Sequence, residues 1–243
     1  MEFTIKDIIQ MEVAPALGCT EPAAVALSAA AAASLIDGDD YDKIDVWVDP
    51  NIYKNGVAVS IPGAGDFTGI DLAAALGAFG GDPSLKLEVL EPISDDTLSC
   101  ARKYIADKKL SVNLVTDTGG IYVRTQIYSK DKKAEAVIEK MHDNIATLKL
   151  NDELLKDHPM LCKVEKDKKD ILSLERWLMQ LSLEELVDLL KQLDQEDLEF
   201  IKEGVEFNVK LAEYGLTTGP GLGVGSTLNR LCREGLLKKD IML

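Results

Sequence analysis

The strongest constraint on the fold is an alanine-rich apolar segment, Pro22–Ile36. Its 15 residues fall short of the ~20 strongly apolar residues that a membrane span needs. Alanine has the highest intrinsic helix propensity, so we expect a helix over Ala23–Leu35, with Thr20 as its N-cap. The acidic stretch Asp37-Gly38-Asp39-Asp40 is predicted to end this helix.

Composition excludes several classes of protein. Hydrophobic residues make up 46% of the chain, which is enough for a packed core and argues against general disorder. The 42 acidic and 27 basic residues give a formal charge of −15, which repels nucleic acids and anionic membranes. The first residues carry no basic stretch followed by an apolar run, so we expect no signal peptide and a cytoplasmic location.

The first part of the chain alternates helical and strand patterns. Helices are predicted over 4–12, 70–79, 95–108 and 134–148, single strands over 44–48, 56–61 and 85–90, and a hairpin over 111–116 and 121–129. This mixture predicts an α/β domain over 1–162, of the α+β type with a mixed sheet and helices.

The second part is predicted to be helical. A solvated charge run over 163–170 precedes leucines at helical spacing over 183–198, a helix over 200–214, and a last helix from Ser226 to Leu243. We find no closing glycine or C-cap in this last helix. We therefore expect 163–243 to be the start of an all-helical domain that is incomplete.

Cys19 is the cysteine with the most informative setting. The four cysteines are widely spaced and form no CxxC pair, which excludes a zinc ribbon or knuckle. Cys19 lies directly before the predicted alanine helix, where unpaired amide groups and the helix dipole favour the thiolate. The alternative is a helix cap with an incidental small cysteine.

Two other segments carry candidate binding groups. Asn51, Lys54 and Asn55 lie in a predicted loop, where two carboxamides and a lysine offer several hydrogen-bond donors to a carboxylate substrate. The alternative is a hairpin loop whose polar side chains are only solvated. The Gly219–Gly225 segment fits neither a P-loop nor a dinucleotide fingerprint, so close helix packing or a substrate-lining loop is expected there. We interpret His142 and His158 as ordinary.

Four segments together resemble one known family. They are EVAPALGCTEP at 12–22, DPNIYKNG at 49–56, IPGAGDFTG at 61–69 and EFNVKLAEYGLTTGPGLGVG at 206–225. They resemble the L-cysteine desulfidase family, also described as serine-dehydratase-like alpha-chain proteins, with the chain as the N-terminal portion of a longer protein. The resemblance implies a lyase that uses a [4Fe-4S] cluster to convert L-cysteine to pyruvate, ammonia and sulfide by α,β-elimination.

The resemblance also implies roles for individual residues. Cys19 would be the first of three cysteine ligands of the cluster, the other two lying in a C-terminal region that this chain lacks. Glu21 is a candidate general base, and Asn51, Lys54 and Asn55 would orient the amino-acid substrate. One thiolate cannot anchor a cluster, so we expect this chain alone to hold no cluster and to have no lyase activity.

Three alternatives stay open at this point. L-serine dehydration is the second expected activity, because hydroxide can leave through the same kind of open iron. A non-catalytic small-molecule-binding module would bind an amino acid or a carboxylate without turnover. A purely structural interaction domain would expose an apolar face and form homo-oligomers.

Overall fold

The chain folds into two compact units. The computed structural model describes residues 3–65, 67–161, 171–218 and 223–238. One unit spans Pro15–Lys168 and is called the α/β unit below; the other joins Met1–Ala14 to Lys169–Leu243 and is called the helical unit. Among the described residues, no helix has the length and apolarity that crossing a bilayer requires. The cytoplasmic location stays a prediction.

The elements confirm a mixed α/β fold with a C-terminal helical segment. The described α-helices are α1 (Ile5–Glu12), α2 (Thr20–Ala33), α3 (Pro50–Gly56), α4 (Ile70–Gly80), α5 (Asp95–Ala106), α6 (Ile171–Leu178), α7 (Leu183–Leu190), α8 (Gln195–Thr218) and α9 (Val224–Arg233). The strands are β1 (Lys43–Val48), β2 (Leu110–Leu114), β3 (Tyr122–Ser129), β4 (Lys132–Glu139), β5 (Ile145–Leu150) and β6 (Glu153–Leu154), and Pro83–Glu88 forms a 3-10 helix.

One mixed sheet organises the α/β unit. Its strand order is β2-β1-β3-β4-β5-β6, with β1 and β2 parallel and the other neighbours antiparallel. Ile44, Val46 and Val48 alternate along β1 and are fully buried, because successive strand residues point to opposite faces. Apolar side chains thereby cover one face of the sheet.

Helices α2 and α4 form the layer that covers this face. They pack against each other, and α2 also packs against β3 and β4. Every residue of α2 from Pro22 to Ala33 is buried, which alanine permits because its short side chain lets neighbouring backbones approach closely. A Cβ placed on Gly77 of α4 would lie only 2.2 Å from the backbone oxygen of Ala26. The alanine-rich segment is therefore the centre of the core.

In the helical unit, an ion-pair cluster and an aromatic contact tie the N-terminal segment to the C-terminal helices. The ammonium group of Lys6 lies 3.2 Å from a carboxylate oxygen of Asp197 and 3.6 Å from one of Asp194. The rings of Phe3 and Trp177 pack with their centroids 5.6 Å apart. These contacts group α1 with residues that follow it by more than 160 positions in the sequence.

Several local predictions for the α/β unit are wrong. The Asn55-Gly56 pair ends helix α3 instead of forming a tight turn, and the predicted strand over 56–61 is reduced to an isolated bridge between Ser60 and Thr68. Residues 83–88 form a 3-10 helix where a strand was expected over 85–90. The segment predicted as a helix over 134–148 forms β4 and β5, which pair with each other. Strands β2 and β3 do not pair as a hairpin, because β1 lies between them.

Helix boundaries also differ from those expected. Cys19, not Thr20, is the N-cap of α2. The leucine-rich segment over 183–198 is broken between α7 and α8. Helix α9 ends at Arg233, and Gly235 follows with a φ of +72°, so the predicted uncapped helix to Leu243 is wrong. Left-handed backbone after a helix is a common stop signal. The charge run over 163–170 lies outside the described residues.

Candidate functional site

The N-terminus of α2 places Cys19 beside Glu21. The Cys19 backbone caps the helix, but its side chain makes no capping hydrogen bond. The half-buried thiol instead donates to Oε2 of Glu21, with 2.7 Å between Sγ and the oxygen. A thiol that donates to a carboxylate is held in its protonated form. The first turn of α2 therefore presents a thiol–carboxylate pair.

Helix α3 presents the predicted polar residues on one side. Its N-cap Asp49 is 1% exposed and accepts hydrogen bonds from the backbone amides of Asn51 and Ile52. The same carboxylate accepts a third bond from the amide of Tyr122, which anchors the helix to the sheet. Because α3 is helical, residues 51, 54 and 55 stand at i, i+3 and i+4 and share one exposed side.

A hydrogen bond joins these two elements. Nδ2 of Asn55 donates to Oε1 of Glu21 at 2.8 Å, across 34 positions of sequence. Glu21 thus accepts from Cys19 with one oxygen and from Asn55 with the other. Of the predicted site residues, the structure brings Cys19, Glu21 and Asn55 into direct contact. Asn51 and Lys54 lie on the same side of α3 as Asn55.

The glycine-containing loop over 61–69 lies against the same region. A Cβ on Gly18 would come within 3.2 Å of Cγ of Pro62 in this loop. A Cβ on Gly56 would come within 3.1 Å of Ile70 and 3.7 Å of Pro22. The ends of α2, α3 and α4 therefore meet with little space between them, and three of the four segments singled out from the sequence converge here.

The electrostatics of the pair oppose a resting thiolate. Burial raises the pKa of Cys19, and the hydrogen bond and negative charge of Glu21 raise it further. Burial alone would raise the pKa of Glu21, but the hydrogen bonds from Cys19 and Asn55, with the charge of His142, lower it. At neutral pH Glu21 is ionised and Cys19 is protonated. The backbone amide of Glu21 favours the thiolate, as expected at a helix terminus, but burial and the carboxylate of Glu21 outweigh it and raise the pKa of Cys19.

Sequence reasoning missed His142 as a neighbour of the site. Its charge acts on Glu21 from the turn between β4 and β5, a segment that was predicted to be helical. No local motif marks this histidine, because only the pairing of β4 with β5 brings it near α2. His158 accepts a hydrogen bond from the amide of Met160 and has no contact with the site among the described residues.

The other cysteines lie elsewhere in the chain. Cys100 is on α5, Cys232 is on α9, and Cys162 lies outside the described residues. Within the described ranges, no group of three or more His, Cys, Asp or Glu side chains could hold a metal ion. The ligand role of Cys19 stays a prediction. Most of the Gly219–Gly225 segment also lies outside the described residues, so its predicted role is untested.

Comparison with curated proteins gives relatives along the whole chain. A protein of Desulfatibacillum aliphaticivorans is 48% identical over 245 residues, covering 100% of this chain and 56% of its own length. A protein of Desulforapulum autotrophicum is 47% identical to this chain, and the match covers 55% of that protein's length. A protein of Salmonella gallinarum is 38% identical, and the match covers 52% of its length. All three are named UPF0597 proteins. No protein-family model matches the sequence.

These relatives correct the resemblance drawn from the four segments. The proteins that match the whole chain are named UPF0597 proteins, and the name carries no lyase or iron–sulfur function. The assignment to the L-cysteine desulfidase or serine-dehydratase-like family is wrong, and so is the iron–sulfur lyase function inferred from it. The chain spans about half the length of the curated relatives it matches.

Proposed function

We propose that the cluster of Cys19, Glu21 and Asn55 binds a small zwitterionic molecule of the amino-acid type. Glu21 pairs with its ammonium group, and Lys54 pairs with its carboxylate. The observation that carries the proposal is the hydrogen bond between Asn55 and Glu21, which holds an ionised carboxylate between two elements that are far apart in sequence.

The carboxylate of Glu21 has capacity left for a ligand. An ionised carboxylate offers about four lone-pair positions, and the protein occupies two of them through Cys19 and Asn55. The lowered pKa keeps Glu21 charged at neutral pH. A half-buried anion held in place by two neutral donors is suited to receive a cation, because neither donor neutralises its charge.

Lys54 supplies the complementary charge. It is exposed on the side of α3 that carries Asn55, and none of the described residues forms an ion pair with it. A lysine offers a charged donor on a flexible stem, which fits a carboxylate without fixing its orientation. An anion and a cation on adjoining elements favour a ligand that carries both charges over a simple amine or acid.

Cys19 has the role of a neutral donor in this proposal. Its protonated thiol fixes one oxygen of Glu21, so the carboxylate needs no rearrangement when a ligand arrives. Proton transfer by Glu21 in a whole protein stays a prediction. Its lowered pKa suits a counter-ion better than a strong base.

Calorimetric titration of the chain with L-serine, ethanolamine and 3-hydroxypropionate tests the proposal. L-serine carries both charges, and each of the other two lacks one. We expect L-serine to bind at least tenfold more tightly than 3-hydroxypropionate, because a charge-assisted hydrogen bond to Glu21 contributes about 1.5–3 kcal/mol. We expect it to bind about threefold more tightly than ethanolamine, because the exposed pair with Lys54 contributes less.

Two variants assign the two charges. Glu21→Gln should weaken L-serine and ethanolamine at least tenfold while leaving 3-hydroxypropionate within twofold. Lys54→Gln should weaken L-serine and 3-hydroxypropionate about threefold, because exposed ion pairs contribute little. Glu91→Gln removes an exposed carboxylate outside the cluster and should change nothing. If no ligand binds, or if Glu21→Gln weakens all three equally, the proposal is wrong.

A further inference from the structure

Helix α8 has an apolar surface that is too wide for a helix packed on one side. At about 100° per residue, six of its charged side chains fall in one stripe of about 100°. The members of this stripe are Glu199, Lys202, Glu203, Glu206, Lys210 and Glu213. Between residues 198 and 216 the opposite arc of about 220° carries apolar and small residues, apart from Asn208. A helix with this distribution is typical of a buried position between neighbours on two sides.

The arc has two faces. The first apolar face includes Ile201, Val205, Val209 and Ala212, and with Val13 it lines a shallow apolar groove inside the helical unit. The second apolar face consists of Phe200, Phe207, Leu211 and Tyr214, on the opposite side of the helix. Gly204 and Gly215 lie between the two faces. They leave room for a close neighbour, since among the described residues no atom outside the backbone of α8 and the adjacent residues lies within 4 Å of a Cβ built on either.

The second apolar face is open to solvent. Phe207 is 59% exposed, Leu211 is 68% exposed and Tyr214 is 57% exposed. In the described part of this helix, Asp197 is the one buried residue. Three large apolar side chains on successive turns form a contiguous patch, and patches of this kind mark interaction surfaces on proteins in water.

We propose that the second apolar face is covered by polypeptide that the longer relatives carry outside the region matching this chain. The match takes in all of this chain but only 56% of the Desulfatibacillum aliphaticivorans protein, so nearly half of that protein lies outside it. A segment of that length provides enough apolar surface to cover one face of a 24-residue helix.

Charge disfavours a second copy of this chain as the occupant. Each copy has a formal charge of −15, so two copies repel each other. A segment within one polypeptide meets α8 at high effective concentration and pays no association entropy between separate molecules. These arguments favour, as the occupant, the region that the longer relatives carry on the same polypeptide.

Association in trans tests the proposal. The region of the Desulfatibacillum aliphaticivorans protein outside the match is produced as a separate polypeptide and titrated into this chain. We expect a one-to-one complex by light scattering. Phe207→Ser and Leu211→Ser should each weaken it at least tenfold, because large side chains at the centre of an interface dominate binding.

Neighbouring positions on the polar stripe provide matched controls. Glu206→Ser and Glu213→Ser introduce the same residue one position before Phe207 and Tyr214, about 100° around the helix, and should leave the affinity within twofold. Absence of a complex, or equal weakening by all four variants, overturns the proposal. A dimer of the chain alone that Phe207→Ser abolishes also overturns it, because a second copy would then be the occupant.

A second measurement does not require the added region to fold by itself. In a single-chain fusion of this chain with that region, a Leu211→Cys thiol should react with a maleimide at least tenfold more slowly than in the chain alone. Peptide mass spectrometry separates this thiol from Cys19, Cys100, Cys162 and Cys232. Equal rates in the two proteins would overturn the proposal.

Discussion

At the scale of single residues, the side chain two positions after Cys19 decides its chemistry. A cysteine at a helix N-terminus favours the thiolate when a cation or an amide is its nearest partner. Here the nearest partner is the carboxylate of Glu21, 2.7 Å away. The motif GCTEP singled out this position, but the sequence alone did not show that the Glu21 carboxylate would accept a hydrogen bond from the sulfur.

Alkylation of Cys19 tests this arrangement. Because burial and Glu21 raise its pKa, the thiol stays protonated at pH 8 and its reaction with iodoacetamide should be slow. Glu21→Gln removes the negative charge, so the pKa of Cys19 should fall and alkylation should become at least threefold faster. Peptide mass spectrometry measures the rate at Cys19, with the exposed Cys100 as internal reference.

The pH dependence of the alkylation rate shows in which direction the pKa of Cys19 is shifted. In the native protein the rate should rise only above the ordinary titration range of a cysteine thiol, and in the Glu21→Gln variant it should rise at lower pH. Slower alkylation in the variant would contradict this account, because Glu21 would then be withdrawing the proton from the thiol.

At the scale of elements, local signals were reliable where they agreed with the tertiary environment. The alanine-rich helix and the amphipathic α5 follow propensity and capping, as in the Ser94 cap of α5, and were predicted close to their observed bounds. Residues 134–148 have helical composition but form strands, because β4 lies inside the sheet between β3 and β5, where Ala134, Ala136 and Ile138 are fully buried.

Helix α3 shows why the site could be predicted only in part. The Asn55-Gly56 pair is a strong turn signal, yet the capping carboxylate of Asp49 and the proline that follows it start a helix instead. Asn51, Lys54 and Asn55 could be predicted as site residues from the chemistry of their side chains, which does not depend on the local fold. Their common side and their contact with Glu21 depend on the helix and on the packing of α2, which no local pattern reports.

The contact between α2 and α4 gives a prediction for packing. Gly77→Ala would place a methyl group 2.2 Å from the backbone oxygen of Ala26, so the two helices must separate. Backbone atoms cannot rotate away, and we expect a loss of about 3 kcal/mol or more in the free energy of unfolding. Urea denaturation measures it from the shift of the midpoint.

Gly119→Ala is the control in the same unit. Apart from its chain neighbours, no described residue lies within 4 Å of a Cβ built there, so the free energy of unfolding should stay within about 0.5 kcal/mol of the native value. If Gly77→Ala changes the free energy of unfolding by a similarly small amount, α2 and α4 can adjust their separation. The close packing of the alanine-rich helix would then not be required for stability.

At the scale of the whole molecule, the two units differ in how completely they bury apolar surface. In the α/β unit α2, α4 and the buried side of the sheet form one continuous core. In the helical unit α7, α8 and α9 expose large apolar side chains, among them Leu183, Phe207 and Val224. Hydrogen bonds within a helix contribute little stability without packing, so the two units should open with different free energies.

Amide hydrogen exchange of the native chain measures this difference. We expect the amides of α2 and β3 to exchange at least 100-fold more slowly than those of α8 between residues 207 and 214, which corresponds to at least about 2.7 kcal/mol in opening free energy. Equal protection would mean that something already covers the second apolar face in the isolated chain. Because burial, not the helical hydrogen bond, sets the difference, Glu206→Ser should leave the rates of α8 unchanged, and covering that face in the single-chain fusion should slow them.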